Sequence, residues 1–335
     1  MHDLRFYQRI SDVTLQDLAT LVGGEVFGDS SAAVVTVAAA EHAERGSICF
    51  AEGKADHARN VNSAATACFV TEKLREYLPD GMNAIVCENP RYAFSRAALS
   101  FLQRREISDT YDDLGPAQLH PSVKVGTHVV ISDGVEIGQG SVLGPNTVIG
   151  PGVRIGTNCT IGANTVIESA LIGNNVTIKA NSTIGGTGFG VVQGPTGLMQ
   201  APHFGRVVIQ DFVSIGSCVC VDRGAFDDTV VGEGTRIDNF AQIAHNVVLG
   251  RNCVLAAFAG LSGSVTVEDG VMMGGRVGIA DHTHIGAGAR LAADSAIMRD
   301  IPAGETWGGS PAKPLTQWMR EVAWLSRNAL KKKPK

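Results

Sequence analysis

No stretch of 18 consecutive apolar residues occurs in this 335-residue sequence, so it offers no helix able to cross a bilayer. Its opening, MHDLRFYQRI, sets Asp3, Arg5 and Arg9 among the apolar residues, which is not the pattern of a secretory signal peptide. Paired CxxC motifs are missing as well. The 7 cysteines, an odd number scattered from Cys49 to Cys253, exclude a disulfide framework or zinc ribbon and point to a reducing, cytoplasmic compartment. Charge is sparse, at 18% of residues with a net of -5, so there is no electrostatic case for nucleic acid or an anionic membrane. Glycine is what abounds, with 40 residues, and with the low charge it suits a β solenoid rather than disorder.

The glycines are placed periodically. From Val125 an aliphatic residue returns every six positions, at Ile131, Ile137, Leu143, Ile149, Ile155, Ile161 and Ile167, and the residue after each is small until Glu168. After a five-residue step the register resumes at Ile172, Ile178 and Ile184, breaks, and returns at Ile209, Ile215 and Val221. It breaks again and then runs from Val231 to Ile297. A six-residue period fits neither an amphipathic helix nor strand alternation; sustained this long, it marks stacked coils in which each unit is one short strand and one corner. Three units per coil make a triangular prism filled by the aliphatic leads, each coil rising about 4.8 Å.

With the repeat occupying residues 122–310, the length leaves room for one domain before it. Residues 1–108 read as a small α/β domain. Thr14 and Asp17 form a capping box ahead of a helical pattern that Gly23 and Gly24 stop. Apolar runs at 34–40, 47–51, 67–70 and 84–86 read as strands, and Pro90 opens a second helix with Phe94, Ala97, Ala98, Phe101 and Leu102 at helical spacing. A polar linker, 109–121, leads to the solenoid. The last segment, 311–335, reads as a helix with Leu315, Trp318, Met319, Val322 and Leu325 on one face, suited to cap the solenoid or to meet a partner.

His245 stands third in its repeat, off the interior position, so it is expected to point away from the packed core. His282, two coils of 18 plus one residue further on, falls on the same side, about 10 Å along the axis. Asp238, Asn239 and Gln242 add polar groups nearby. The two register failures, 185–206 beginning GGTGFG and 222–230 reading DRGAFDDTV, are expected to project as loops, a favoured place for function on a rigid scaffold. GGTGFG lacks both the following helix and the spacing of a dinucleotide fingerprint, and Phe189 within it reads as a lid or wall for an apolar ligand. His282 and His284 alternate on one strand as a ligand pair, but His245 lies two coils away, beyond ligand distances of about 2 Å, so no metal is expected.

The strings GTGFG, GRVVIQDFVSIGSCVCVDRGAFDDTVVGEGTRIDNFAQIAHNVVLG and GGRVGIADH closely resemble the UDP-3-O-(3-hydroxyacyl)glucosamine N-acyltransferases of lipid A biosynthesis, and the resemblance covers nearly the whole chain. It implies a mainly β fold, a left-handed parallel β-helix with an N-terminal α/β uridine-binding domain and a C-terminal helical extension, assembled as a homotrimer. It implies transfer of a (3R)-3-hydroxyacyl chain from acyl carrier protein to the 2-amino group of UDP-3-O-acylglucosamine. The carrier's phosphopantetheine arm is then the donor, and no cofactor is bound. His245 takes the family's general-base position and His282 that of its second active-site histidine. Asp238 and Asn239 fall beside the sugar, with Gln242 and Phe189 also on the substrate side, and Phe50 falls where the uracil stacks. Arg299 takes the carrier-docking position, with Lys313, Arg320 and Lys331 to Lys333 toward the same end.

Asp238 is expected to hold the His245 imidazole and stabilise its cation. The chain departs from the family spacing FxxNxxY after Phe50, where it has Gly53 and Asp56, so the uridine site must be built differently. Leu291, Ala292, Ala293 and Ala296 are small where bulkier residues would stop an acyl chain, so long donors are expected to be accepted. Two other readings use the same scaffold: an O-acyltransferase or acetyl-CoA-dependent transferase, told apart by its acceptor, and a binding solenoid without catalysis.

Overall fold

A computed structural model describes residues 2–309 and 315–329. Each aliphatic lead closes a short strand, and the strands stack in parallel on three faces of a prism. Among the described residues the first face starts at Gln118–Leu119 and has nine strands, the second at Lys124–Val125 with ten, and the third at Val130–Ile131 with nine. Leads pair in register from coil to coil, Ile137 with Ile155, Leu143 with Ile161 and Ile149 with Ile167. From Ile137 to Ile297 every lead is at most 5% exposed. Burying such a side chain contributes about 1.5–3 kcal/mol, but only when a coil lies above and below, so the stack is stable where a single coil is not. Val125, in the first coil, is accordingly 47% exposed.

The residue after a lead is small because the next coil's corner sits against it. A Cβ on Gly126 would lie 2.7 Å from the Pro145 backbone nitrogen. The corners themselves turn through left-handed φ. Between the second and third faces Asn146, Asn164 and Asn181 take this conformation, which asparagine tolerates, and their side chains form a ladder at 3.2 and 3.1 Å. Further along the same corner Phe240 and Phe258 adopt it too, exposed and stacked at 5.0 Å.

Ahead of the solenoid lies a five-stranded mixed sheet. Glu25–Phe27 pairs antiparallel with Asn83–Val86, and Ala67–Val70, Ser47–Phe50 and Thr36–Val37 follow in parallel. Helix α1 (Leu15–Val22) starts at the Thr14–Asp17 capping box and ends at Gly23, φ 69°. Helices α2 (Ala55–Arg59) and α3 (Glu72–Arg75) are too short to show in the sequence pattern. Helix α4 (Pro90–Phe101) starts at the predicted proline and buries Phe94, Ala97, Ala98 and Phe101. Phe94 touches Phe50 and Phe69 of the sheet and Phe226 of the solenoid, so helix, sheet and prism share one core. A strand at Tyr7–Arg9, paired with Leu102–Arg104, has no counterpart in the sequence reading.

Three features differ from the sequence expectation. The first solenoid strand, Gln118–Leu119, lies within the stretch read as linker, because it is held by pairing with Glu136–Ile137 rather than by its own hydrophobicity. The segment 185–206 is more than a loop, since Val191–Gly194 and Gly197–Gln200 pair as an antiparallel hairpin. Helix α5 (Leu315–Ala329) leaves Met319, Val322, Trp324 and Leu325 exposed, so within one chain that face does not cap the prism. Lys313, Lys331 to Lys333 and the side chains of Leu315 and Trp318 lie outside the described residues. No described helix is long and apolar enough to cross a membrane.

Two glycine substitutions separate tight from open positions. A Cβ on Gly162 would run into the Ala180 backbone, whereas nothing lies within 4 Å of one on Gly260. Gly162→Ala should cost about 1–3 kcal/mol in a denaturant melt. Gly260→Ala should stay within about 1 kcal/mol of the native protein. Equal stabilities for the two would contradict the stacking geometry.

Candidate active site

His245 follows the strand Gln242–Ile243 on the corner between the third face and the first. Ile243 points inward and is fully buried, while His245, two residues on, is half-buried at the surface. The imidazole lies between two glycines. A Cβ on Gly263, in the next coil, would sit 2.7 Å from His245 Nε2, and one on Gly188, from GGTGFG, 2.8 Å from His245 Cβ. Asn246 sets the tautomer. Its Oδ1 accepts the Ala225 N–H at 2.9 Å, so the atom 3.1 Å from His245 Nδ1 is an oxygen. Nδ1 therefore carries the hydrogen, and Nε2 keeps a lone pair.

Two cavities meet at this ring. One, of about 1230 Å³, is a cleft between the N-terminal sheet and the prism that reaches from Phe50, Arg91 and His42 past Arg206 and Asp227 to His203, His245 and His282. The other, of about 1170 Å³, is a mainly apolar trough on the outer side of the third face. Its floor follows from strand register. The outward positions Cys220, Gln242, Gly260, Gly278 and Ala296 pair in succession, so the floor is bare at Gly260 and Gly278 and carries one methyl at Ala296, with the exposed Met298 beside it. Phe189, 84% exposed, borders both cavities, as does His245.

Burial shapes the neighbouring charges. The His203 ring meets that of His245 edge-on at 5.1 Å, and burial, with repulsion from His245 adding to it, lowers its pKa to about 4. Its Nδ1 lies 3.1 Å from Ala201 O. Asp222 accepts from Gln242 Nε2 at 2.8 Å, and burial raises its pKa to about 6 against the pull of His245 and Gln242. The site thus holds a histidine that stays neutral and a carboxyl that is reluctant to ionise on either side of His245.

Of the residues singled out from the sequence, His282, Phe189 and Phe50 line the cleft with His245, and Gln242 lines the trough. Asp238 does not hold His245. It sits on the corner between the second and third faces, where its Oδ1 accepts the Asn239 N–H at 2.8 Å; Asn246 faces the imidazole instead. Asn239, on the same corner, accepts from the Ser217 N–H. Leu291 cannot border an acyl chain because it points into the prism, 3% exposed, and Ala292 and Ala293 lie outside the trough, leaving Ala296.

Gly53 is a turn residue, φ 84°, and Asp56 pairs with Arg59; neither lines the cleft. In their place Glu52 pairs with Arg91 at 2.6 Å, and the Arg91 guanidinium lies 5.5 Å from the centre of the Phe50 ring. Arg299 lies exposed over Trp307, on the corner that carries His245. His284 turns to Glu268 at 3.1 Å. The sequence reading missed His203, Asp222 and Asn246. His203 and Asp222 sit in or beside the register breaks, where no period reports direction, and the only signal for Asn246 was its place next to His245.

Residues 31–99 match the family model described as UDP-3-O-(3-hydroxymyristoyl) glucosamine N-acyltransferase, LpxD, and residues 134–169 and 228–263 match the bacterial transferase hexapeptide repeat. The UDP-3-O-acylglucosamine N-acyltransferase of Caulobacter sp. strain K31 is 45% identical over 98% of this chain and 97% of its own length. That of Methylobacterium nodulans is 52% identical over 49% of this chain and 47% of its own. Among solved structures, a UDP-N-acetylglucosamine acyltransferase from Campylobacter jejuni is 24% identical, with a TM-score of 0.49, over 63% of this chain and 82% of that one.

The two shifted groups beside His245 have opposite effects on stability. His203 falls from 6.5 to about 4 on folding, so the unfolded chain takes its proton first and stability is lost as pH drops through that window. Asp222 rises from 3.8 to about 6, so the folded chain takes its proton first; that contribution is full below 3.8 and lost as pH climbs through 6. Thermal melts at about pH 6.5 and about pH 4.5 should show Asp222→Asn losing more stability on acidification than the native protein, and His203→Gln losing less. Parallel changes in all three proteins would sink this assignment.

Proposed function

The chain belongs to the UDP-3-O-acylglucosamine N-acyltransferase family, and on that footing we propose that it moves a (3R)-3-hydroxyacyl chain from acyl carrier protein to the 2-amino group of UDP-3-O-(3-hydroxyacyl)glucosamine, giving the UDP-2,3-diacylglucosamine used for lipid A. The observation that carries the reading is the bare Nε2 of His245 at the junction of a polar cleft and an apolar trough. An amine attacks a thioester only as the free base. In this reading the amine nitrogen bonds to the thioester carbonyl carbon while His245 Nε2 takes its proton. The C–S bond then breaks, and the imidazolium returns the proton to the departing thiolate of the phosphopantetheine arm. Asn246, accepting from Nδ1, orients the ring throughout.

The cleft takes the nucleotide sugar, with Phe50 under the uracil and His282 positioning the sugar; the Glu52–Arg91 pair stands in for the family's missing polar residues. The acyl chain runs along the trough over Gly260, Gly278 and Ala296. Arg299 lies on the His245 corner, three coils of 18 residues further along, and offers exposed positive charge to an acidic carrier. Three flat faces of parallel strands suit packing as a homotrimer, in which Asp238 and Asn239 reach the sugar from a neighbouring copy's corner.

His245→Ala should lower turnover by roughly 10² to 10⁴ with the coils intact by circular dichroism; acyl transfer near the native rate would remove His245 from the role of base. Small residues along the trough floor imply acceptance of long donors. Mass spectrometry of the product from a mixture of acyl carrier proteins should show Ala296→Met shifted toward shorter chains, and an unchanged product distribution would place the acyl chain elsewhere.

A further inference from the structure

Both breaks in the six-residue register converge on one buried guanidinium. Arg223, in the second break, is 3% exposed. Its Nη1 donates to Gly185 O at 3.0 Å, its Nη2 to Thr187 Oγ1 at 2.5 Å, and its backbone N–H to Gly186 O at 2.9 Å. One residue thus grips 185–187, the start of the first break. Immediately beyond, Gly188 packs against His245 and His203, and Phe189 enters both cavities.

The same Nη1 lies 3.6 Å from Glu168 Oε2, which Arg104 of the N-terminal domain meets at 2.5 Å. Glu168 is the first residue to depart from the small-after-lead rule, and that departure places its carboxylate in this chain of contacts. A void at this spot would be filled at less cost by an apolar side chain, since burying a guanidinium is unfavourable and Arg223 Nε is left without a hydrogen-bond partner among the described residues. What arginine adds is a rigid fork of donors, able to fix two acceptors of one segment at once.

The geometry points to Arg223 as a positioning residue that clamps 185–187, so that Gly188 seats against His245 and Phe189 stands at the border of the two cavities. Its effect on turnover rests on the reading of His245 as the base. It touches neither substrate nor the reacting atoms, and acts through the segment it holds.

Thr187 gives the sharpest test, because Thr187→Val keeps the shape and removes the acceptor, whereas Thr187→Ser keeps the acceptor. Hydrogen–deuterium exchange on the full chain should show the 185–190 amides exchanging about 10-fold faster in Thr187→Val, at the native rate in Thr187→Ser, and no change in the distant coils. Arg223→Met should reproduce the Thr187→Val pattern more strongly; if it fails to fold, the threonine pair still decides. In acyl-transfer kinetics Thr187→Val should lose about 10-fold in kcat with the nucleotide-sugar KM within about 2-fold, and Thr187→Ser should keep both. Native exchange in Thr187→Val, or equal effects of Val and Ser, would overturn the clamp. A native chain that transfers no acyl group would instead sink the catalytic reading, and the exchange pattern would still decide for or against Arg223.

Discussion

The structure depends on one constraint: each coil must lie squarely on the one before it. Aliphatic leads fill the interior only if their neighbours above and below are in register, and the backbone ladder, as in Gly138 N–H to Ile155 O at 2.8 Å, holds that register. Because the spacing is set by hydrogen bonds as well as by packing, the prism is stiff along its length. Residues one coil apart therefore fall in line. His245, Gly263, Asp281 and Arg299 follow one another up a single corner at 18-residue intervals, and whatever binds there meets a fixed spacing of groups.

A stack this regular tolerates insertion only where the coil can close again behind it. Ile172 pairs with Ile209 directly across the long first break, and Ile209 with Val231 across the second, so both inserted segments leave the interior undisturbed. Their outward parts are free to fold back on the prism. The hairpin of the first break and Phe226 of the second both meet helix α4 of the N-terminal domain, at its N-cap Asn89 and at Phe94, and the polar cleft forms beside them. The trough has a different origin. It is a face of the prism whose outward side chains are nearly absent, and it needs no insertion for its floor.

His245 joins the two cavities because it occupies the corner where the third face ends. Asn246 beside it accepts the Ala225 N–H from the second break, so the same inserted segment that shapes the cleft also fixes the ring's tautomer. Partial burial keeps His203 neutral and raises the Asp222 carboxyl to about 6, so that of these two neighbours only Asp222 takes up charge near neutral pH.

The architecture was legible in the chain itself, since a six-residue period with small residues after each lead admits one kind of stack, and capping signals at Thr14 and Pro90 marked two helices at their true starts. The direction of His245 was legible from its place two residues after a lead, because the lead and the residue two before it, as with Ile243 and Ala241, are the ones that face inward. Periodicity stops informing where the register stops, so the sequence alone was silent on the hairpin, on His203 and on Arg223. It also misplaced the partner of the imidazole: Asp238 is closer to a carboxylate's usual role, yet it lies on another corner, and Asn246 has the position. Local pattern determined which residues are inside and which outside; only tertiary structure decided which outer residues meet, because that depends on how two inserted segments and the N-terminal domain fold back onto the prism.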